Sequence, residues 1–305
     1  MGRASRSKGG AKSGASAKKS KQSRIKDFVE AAEECCTQME YEQALQHYES
    51  ALKISPEDTT ILDAAGEILL ELGQVDQARE VLTRSVQLNP SGSFCTYMYL
   101  GQLCQGVDAV ACYDRGIKLL TKELESADGD DALLLRAKLS ESLSSKAELY
   151  MTDLCDMPNA EAQCQAAIEA SLQADPSNVD ALLTAANLFC VVQNREQAIE
   201  HLDRAAAVLE QLGDNRPPPH VCLNCAKLYV ELEEHEKAAE QLEEVLADDD
   251  QLTEAHFMLA VEYQALGDKE SAQESCTKAH DLHKREPEPC PIIMRKINEL
   301  IKELQ

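Results

Sequence analysis

The sequence predicts an all-α solenoid of stacked helical hairpins. Three observations lead there. A 34-residue period runs through most of the 305 residues. Small residues recur at fixed places within that period. The composition is sparing in sheet and loop formers, with 13 Gly, 10 Pro and 4% aromatic residues, none of them Trp, and such a balance favours helices.

The unit is clearest in residues 59–92, TTILDAAGEILLELGQVDQAREVLTRSVQLNPSG. Leu62, Ala65, Leu69 and Leu72 fall at helical spacing, and so do Ala78, Leu82, Ser85 and Val86. Gly73 ends the first helix; Asn89 and Pro90 stop the second. Gly66, Ala78 and Ser85 are small where two helix backbones must approach. A hairpin this short cannot bury its apolar face alone and needs neighbours on both sides.

One period back, residues 25–58 place Ala32, Ala44 and Ala51 at the same points and end near Pro56. One period forward, a shortened unit from Phe94 to about Leu119 carries Gly101, Ala109 and Gly116. After an interruption four more follow: 145–178 (Cys164, Ser171), 179–212 (Ala186, Ala198, Ala205), 219–252 (Ala226, Ala238) and 253–286 (Ala260, Ala272, Ala279). The pattern resembles the tetratricopeptide repeat. That resemblance implies a right-handed superhelical solenoid of about seven helix–turn–helix units over residues 27–286, with an irregular insertion at 120–144.

Residues 1–26 differ in kind. They hold nine Lys or Arg and no acid among Ser, Gly and Ala, so a disordered basic tail is expected. They lack the apolar segment of a secretory signal. Lys18, Lys19 and Lys21 suit a nuclear-import signal or a solubilising tail equally. Of the chain's 30 basic residues the remaining 21 stand against 54 acids, so residues 27–305 carry a formal charge of −33. A body this acidic repels nucleic acid and membrane phosphates and attracts a basic partner. No apolar run reaches the roughly eighteen residues that suggest a membrane span.

In the repeat family, the first helix of each unit lines a concave groove through its second, fifth, ninth, twelfth and thirteenth positions. Carried onto this chain, that implies groove acids at Glu33, Asp63, Glu67, Glu71, Asp153, Asp156 and Glu254. Val29, Met98, Leu149, Leu183, Leu223 and Phe257 interleave with them. Acid mixed with apolar surface suits an extended, basic, partly hydrophobic peptide. Family members that grip acidic C-termini carry Lys and Asn at positions five and nine of the first unit, where this chain has Val29 and Glu33. Only Asn224 and Lys227, beside Glu231, are similar to such a clamp.

Residues 120–144 begin as a helix, turn at Asp128, Gly129, Asp130 and Asp131, and lead into a second helix over 132–154. Leu139 stands where a calcium loop needs its bidentate Glu, so the turn is a connector. The string YMTDLCDMPNAEAQC follows at 150–164. Through Met151, Thr152, Asp153, Leu154, Cys155, Pro158, Ala160, Glu161 and Cys164 it resembles the dedicated assembly chaperones of large-subunit ribosomal protein four. Those chaperones join such a segment to an acidic repeat array.

Twelve cysteines without a secretion signal are expected as reduced thiols. Cys222 and Cys225 have zinc-like spacing near His220, but no second pair follows, and their positions face the partner helix. Neither a catalytic constellation nor a phosphate loop is found, so no enzyme activity and no cofactor or metal is expected. The prolines at 217–219 form a rigid spacer, and residues 287–305 supply a capping helix through Ile292, Ile293, Ile297, Leu300, Ile301 and Leu304.

The resemblance implies a monomeric, non-catalytic chaperone, cytoplasmic and nuclear. It would hold newly made ribosomal protein four through that protein's basic internal segment, without direct contact to nucleic acid or membrane. The alternative from another class is a scaffold subunit that binds a different peptide.

Overall fold

The computed structural model describes residues 10–213, 216–288 and 290–305, with side chains from Lys21 onward. Two compact units divide the chain, Met1–Ala132 and Leu133–Gln305. The first holds α1 (Gly10–Thr37), α2 (Tyr41–Leu52), α3 (Thr59–Glu71), α4 (Val75–Leu88), α5 (Phe94–Leu103) and α6 (Gly106–Leu124). The second opens within α7 (Gly129–Met151) and continues through α8 (Ala160–Ala174), α9 (Val179–Val191), α10 (Arg195–Leu212) and α11 (Pro219–Glu231). It is completed by α12 (His235–Asp248), α13 (Thr253–Leu266), α14 (Lys269–Arg285) and α15 (Pro291–Leu304). This is an all-α tetratricopeptide-repeat solenoid, and among the described residues no strand occurs.

Small residues let the hairpins close. Ala44, Ala78, Ala198, Ala238 and Ala272, the equivalent contact in five units, are all fully buried. A larger side chain there would separate the two helices of the hairpin.

The turns inside the hairpins also repeat. Met39, Gly73, Gln193, Glu233 and Gly267 adopt φ between 55° and 82°. In each case the next residue's N–H donates to the carbonyl five residues before it, as from Gln74 to Leu69 at 2.8 Å and from Asn194 to Phe189 at 2.8 Å. This 6→1 bond caps the first helix by closing one of its orphan carbonyls.

Three expectations change. The basic segment is helical from Gly10, not irregular to Lys26. Its Ala and Lys residues tolerate a helix that Ile25, Phe28 and Val29 anchor to the core of α2 and α3; residues 1–9 lie outside the described residues. Second, α7 ends at Met151, three residues before the expected end. Third, Ile292 and Ile293 of α15 are exposed, while Ile297, Leu300 and Leu304 cover Ala260, Ala272, Cys276 and Ala279.

Where the period breaks, α7 meets α8 through serine. Ser140 Oγ donates to Ser171 O at 2.9 Å and Ser171 Oγ to Ser140 O at 2.7 Å, and both residues are fully buried. Among the described residues no helix is long and apolar enough to cross a membrane.

Candidate functional site

In the first unit the candidate surface belongs to α1, α3 and α5. Glu33 of α1 and Glu67 of α3, one period apart, are both exposed. Both fields reach the buried Tyr48 hydroxyl: burial first, then Cys36 and Glu33, push it up to about 12. Burial likewise raises the Cys36 thiol, with smaller contributions from Glu67 and Glu33. Glu33 and Glu67 thus lie near the same buried hydroxyl.

From α5, Tyr99 donates its hydroxyl to Glu67 Oε1 at 2.9 Å. Burial and that bond raise the phenol well above its ordinary value, and Glu71 adds to the effect. Asp63, a turn before Glu67, is half-buried, and its Oδ1 is enclosed with no hydrogen-bond partner among the described residues. A buried acceptor without a donor costs about 1–3 kcal/mol. This surface has carboxylate to offer and little of its own with which to pair it.

In the second unit the first helices are α7, α9, α11 and α13. The sequence-predicted residues divide here. Leu183 of α9 is 8% exposed and belongs to the core, yet its edge lines a cavity of about 450 Å³ between α7, α9 and α11. Leu149 of α7 is half-buried. Phe257 of α13 packs against the cluster beneath α15 instead of lining that cavity.

Asp153 and Asp156 lie beyond the end of α7. They sit exposed in the turn at 152–159 and not on a groove-lining helix. The helix α7 ends at Met151, and Pro158 disfavours helical backbone at the residue before it, so the helix does not resume before α8. Glu254 is taken up by an ion pair with Lys227, Oε1 to Nζ at 2.9 Å.

The cavity brings in residues that the sequence reading passed over, Glu148, Asp180 and Asn187, beside Asn224, Lys227 and Glu231, which it named only as clamp-like. Asp180 and Asn187 hold the second and ninth places of the unit at 179–212, so the template itself marked them. Burial raises the Glu148 and Asp180 carboxyls, and Asp180 raises Glu148 further, while His220 acts the other way on Asp180.

Cys222 and Cys225 pack in the core around Tyr229 and Leu242. Burial pushes Cys225 up to about 12, and Cys222 Sγ lies 3.9 Å from Pro217 O. Among the described residues no group of three or more His, Cys, Asp or Glu is arranged to hold a metal.

Residues 38–92 and 253–282 each match the tetratricopeptide repeat family. Over 219 residues the chain is 31% identical to a Schizosaccharomyces pombe protein named probable assembly chaperone of rpl4, covering 69% of this chain and 65% of that one. An Emericella nidulans protein of the same name is 28% identical over 233 residues, covering 70% of this chain and 57% of that one. The chain thus spans less than two thirds of either relative's length. A solved structure of an assembly chaperone of RpL4 (Acl4, residues 1–338) matches with a TM-score of 0.74 at 25% identity, covering 81% of this chain and 98% of that one.

Proposed function

We propose that this chain, a tetratricopeptide-repeat protein similar to assembly chaperones of rpl4, is itself a non-catalytic chaperone that holds newly made ribosomal protein four of the large subunit. The observation that carries the reading is the likeness to the RpL4 chaperone structure, which extends over 98% of that chain. Glu33, Asp63, Glu67 and Glu71 support it physically. They place exposed or unpaired carboxylate on successive first helices of the first unit. An rRNA-binding segment is disordered, basic and prone to aggregate when free, and a surface of this kind shields it. The client binds as an extended basic segment and the chaperone acts as a monomer, in cytoplasm and nucleus, without touching nucleic acid itself. Native purification of the full chain tests this. Stoichiometric rpl4 in the eluate is the expected result; a multisubunit assembly without rpl4 would replace the chaperone with a scaffold.

A further inference from the structure

The cavity between α7, α9 and α11 has the make-up of a side-chain pocket. Its floor is apolar, from Met151, Leu183 and Leu228. Three carboxylates line it, one from each helix: Glu148, Asp180 and Glu231. The single cation in the lining, Lys227, already pairs with Glu254 at 2.9 Å. Three carboxylates on exposed residues therefore face one opening whose only lining cation is already paired, and burial first, with Asp180 adding, raises the Glu148 carboxyl above its ordinary range.

Two amides complete the lining. Asn187 and Asn224 project from α9 and α11, and among the described residues neither side chain has a hydrogen-bond partner. A primary amide offers a donor and an acceptor together, the complement of a peptide group. Carboxylate alone would attract any cation, including a hydrated metal ion. Carboxylate with two unengaged amides over an apolar floor suits a cationic side chain still attached to its backbone, because the methylene stem needs apolar cover and the peptide needs a hydrogen-bonding partner.

We propose that this cavity is a specificity subsite that takes one arginine or lysine side chain of an extended client segment, with Glu148 and Asp180 receiving the charged head and Asn187 and Asn224 the adjoining peptide group. The assignment rests on the reading of the chain as a chaperone of a basic protein, and it adds a defined anchor where that reading needs only diffuse charge. A pocket anchored in this way fixes the register of the bound segment.

Two measurements on the full chain test it. The first uses an acetylated, amidated Leu-Arg-Leu-Arg-Leu peptide, followed through the side-chain amide NMR signals of Asn187 and Asn224. Saturable shifts of both signals are expected; unmoved signals would overturn the subsite, whatever the natural client is. The second titrates purified rpl4 into the wild type, into Glu148→Gln/Asp180→Asn, and into Glu200→Gln/Glu240→Gln, whose exposed carboxylates lie outside the cavity. The cavity variant is expected to bind at least ten-fold more weakly, and the outer variant within two-fold of wild type. Equal affinity in all three overturns the subsite while leaving the chaperone reading intact. Failure of the wild type to bind rpl4 removes that reading instead, and the peptide measurement still decides the subsite.

Discussion

Gly66 of α3 faces the fully buried Leu82 of α4 so closely that a Cβ at Gly66 would lie 2.4 Å from Leu82 Cδ2 and 2.6 Å from its Cγ. The contact recurs one unit on, where a Cβ at Gly101 would meet the Tyr113 ring at 2.7 Å. In both hairpins the absence of a side chain on the first helix is filled by a large one on the second.

Gly66→Ala is therefore destabilising. Overpacking costs about 1–3 kcal/mol, and the gain in helix propensity recovers roughly 1 kcal/mol at most. The urea midpoint is expected to fall, and more steeply for Gly66→Val; an unchanged or raised midpoint would show that α3 and α4 have room to spare.

The turns point the other way. Gln193 and Glu233 hold φ values of 59° and 55°, a conformation in which Gly avoids the Cβ penalty. Gln193→Gly and Glu233→Gly should each raise stability by about 0.5–1 kcal/mol in thermal melts. A loss in both would mean that their side chains contribute more than the backbone conformation costs.

These features explain how much could be read from sequence. The hairpins were legible because Gly66, Ala78 and their equivalents cannot drift: each is fixed by the helix packed upon it. Asp153 and Asp156 were placed on a first helix because the template was carried across the period break, whereas α7 ends at Met151 and a turn follows over 152–159. Of the two cavity amides, Asn187 was missed for a different reason. Asn187 stands at a marked position, but a neutral amide gives no charge signal, and only the fold brings it near Asn224 and Glu148. Tyr99 joined Glu67 unannounced, since a tyrosine at helical spacing reads equally as core.

The junction of α14 and α15 carries a pH dependence. His283, 1% exposed, has Nε2 at 2.9 Å from Cys290 O, while Nδ1 makes no hydrogen bond and lies 2.8 Å from Glu286 Oε2, a carboxylate whose charge favours the imidazolium. The Cys290 carbonyl first, with Glu286 adding, raises His283 above its ordinary 6.5 despite burial. A raised histidine stabilises the fold fully below its unfolded value and loses that contribution as pH rises through the folded one. The stability gap between wild type and His283→Gln should thus be widest below about pH 6 and narrow toward pH 9. Thr253, which donates to Glu286 Oε1 at 2.9 Å, keeps that carboxylate in place throughout. A constant gap would remove the imidazolium from the α14–α15 junction.

Removal of residues 291–305 should be severe. It uncovers Ala260, Ala272, Cys276 and Ala279, all fully buried beside Ile297, and terminal caps keep repeat arrays soluble. Aggregation or fraying from α13 and α14 is expected in hydrogen exchange. Protection of those helices equal to that in the full chain would show that α15 is not the cap.

The central claim is that carboxylates on the first helices hold a basic ribosomal protein, and calorimetric titration of rpl4 into charge-reversed chains tests it most directly. Each exposed pair contributes a few tenths of a kcal/mol to about 1, so single substitutions should be quiet. Reversing Glu33, Glu67 and Glu71 together to Lys should weaken binding several-fold to about a hundred-fold, with the wild-type interaction itself falling between roughly 50 and 500 mM salt. Three reversals at the exposed Glu80, Glu200 and Glu240 should cost far less. Equal losses from both sets would mean that net charge alone matters, and no loss from either would contradict the basic client.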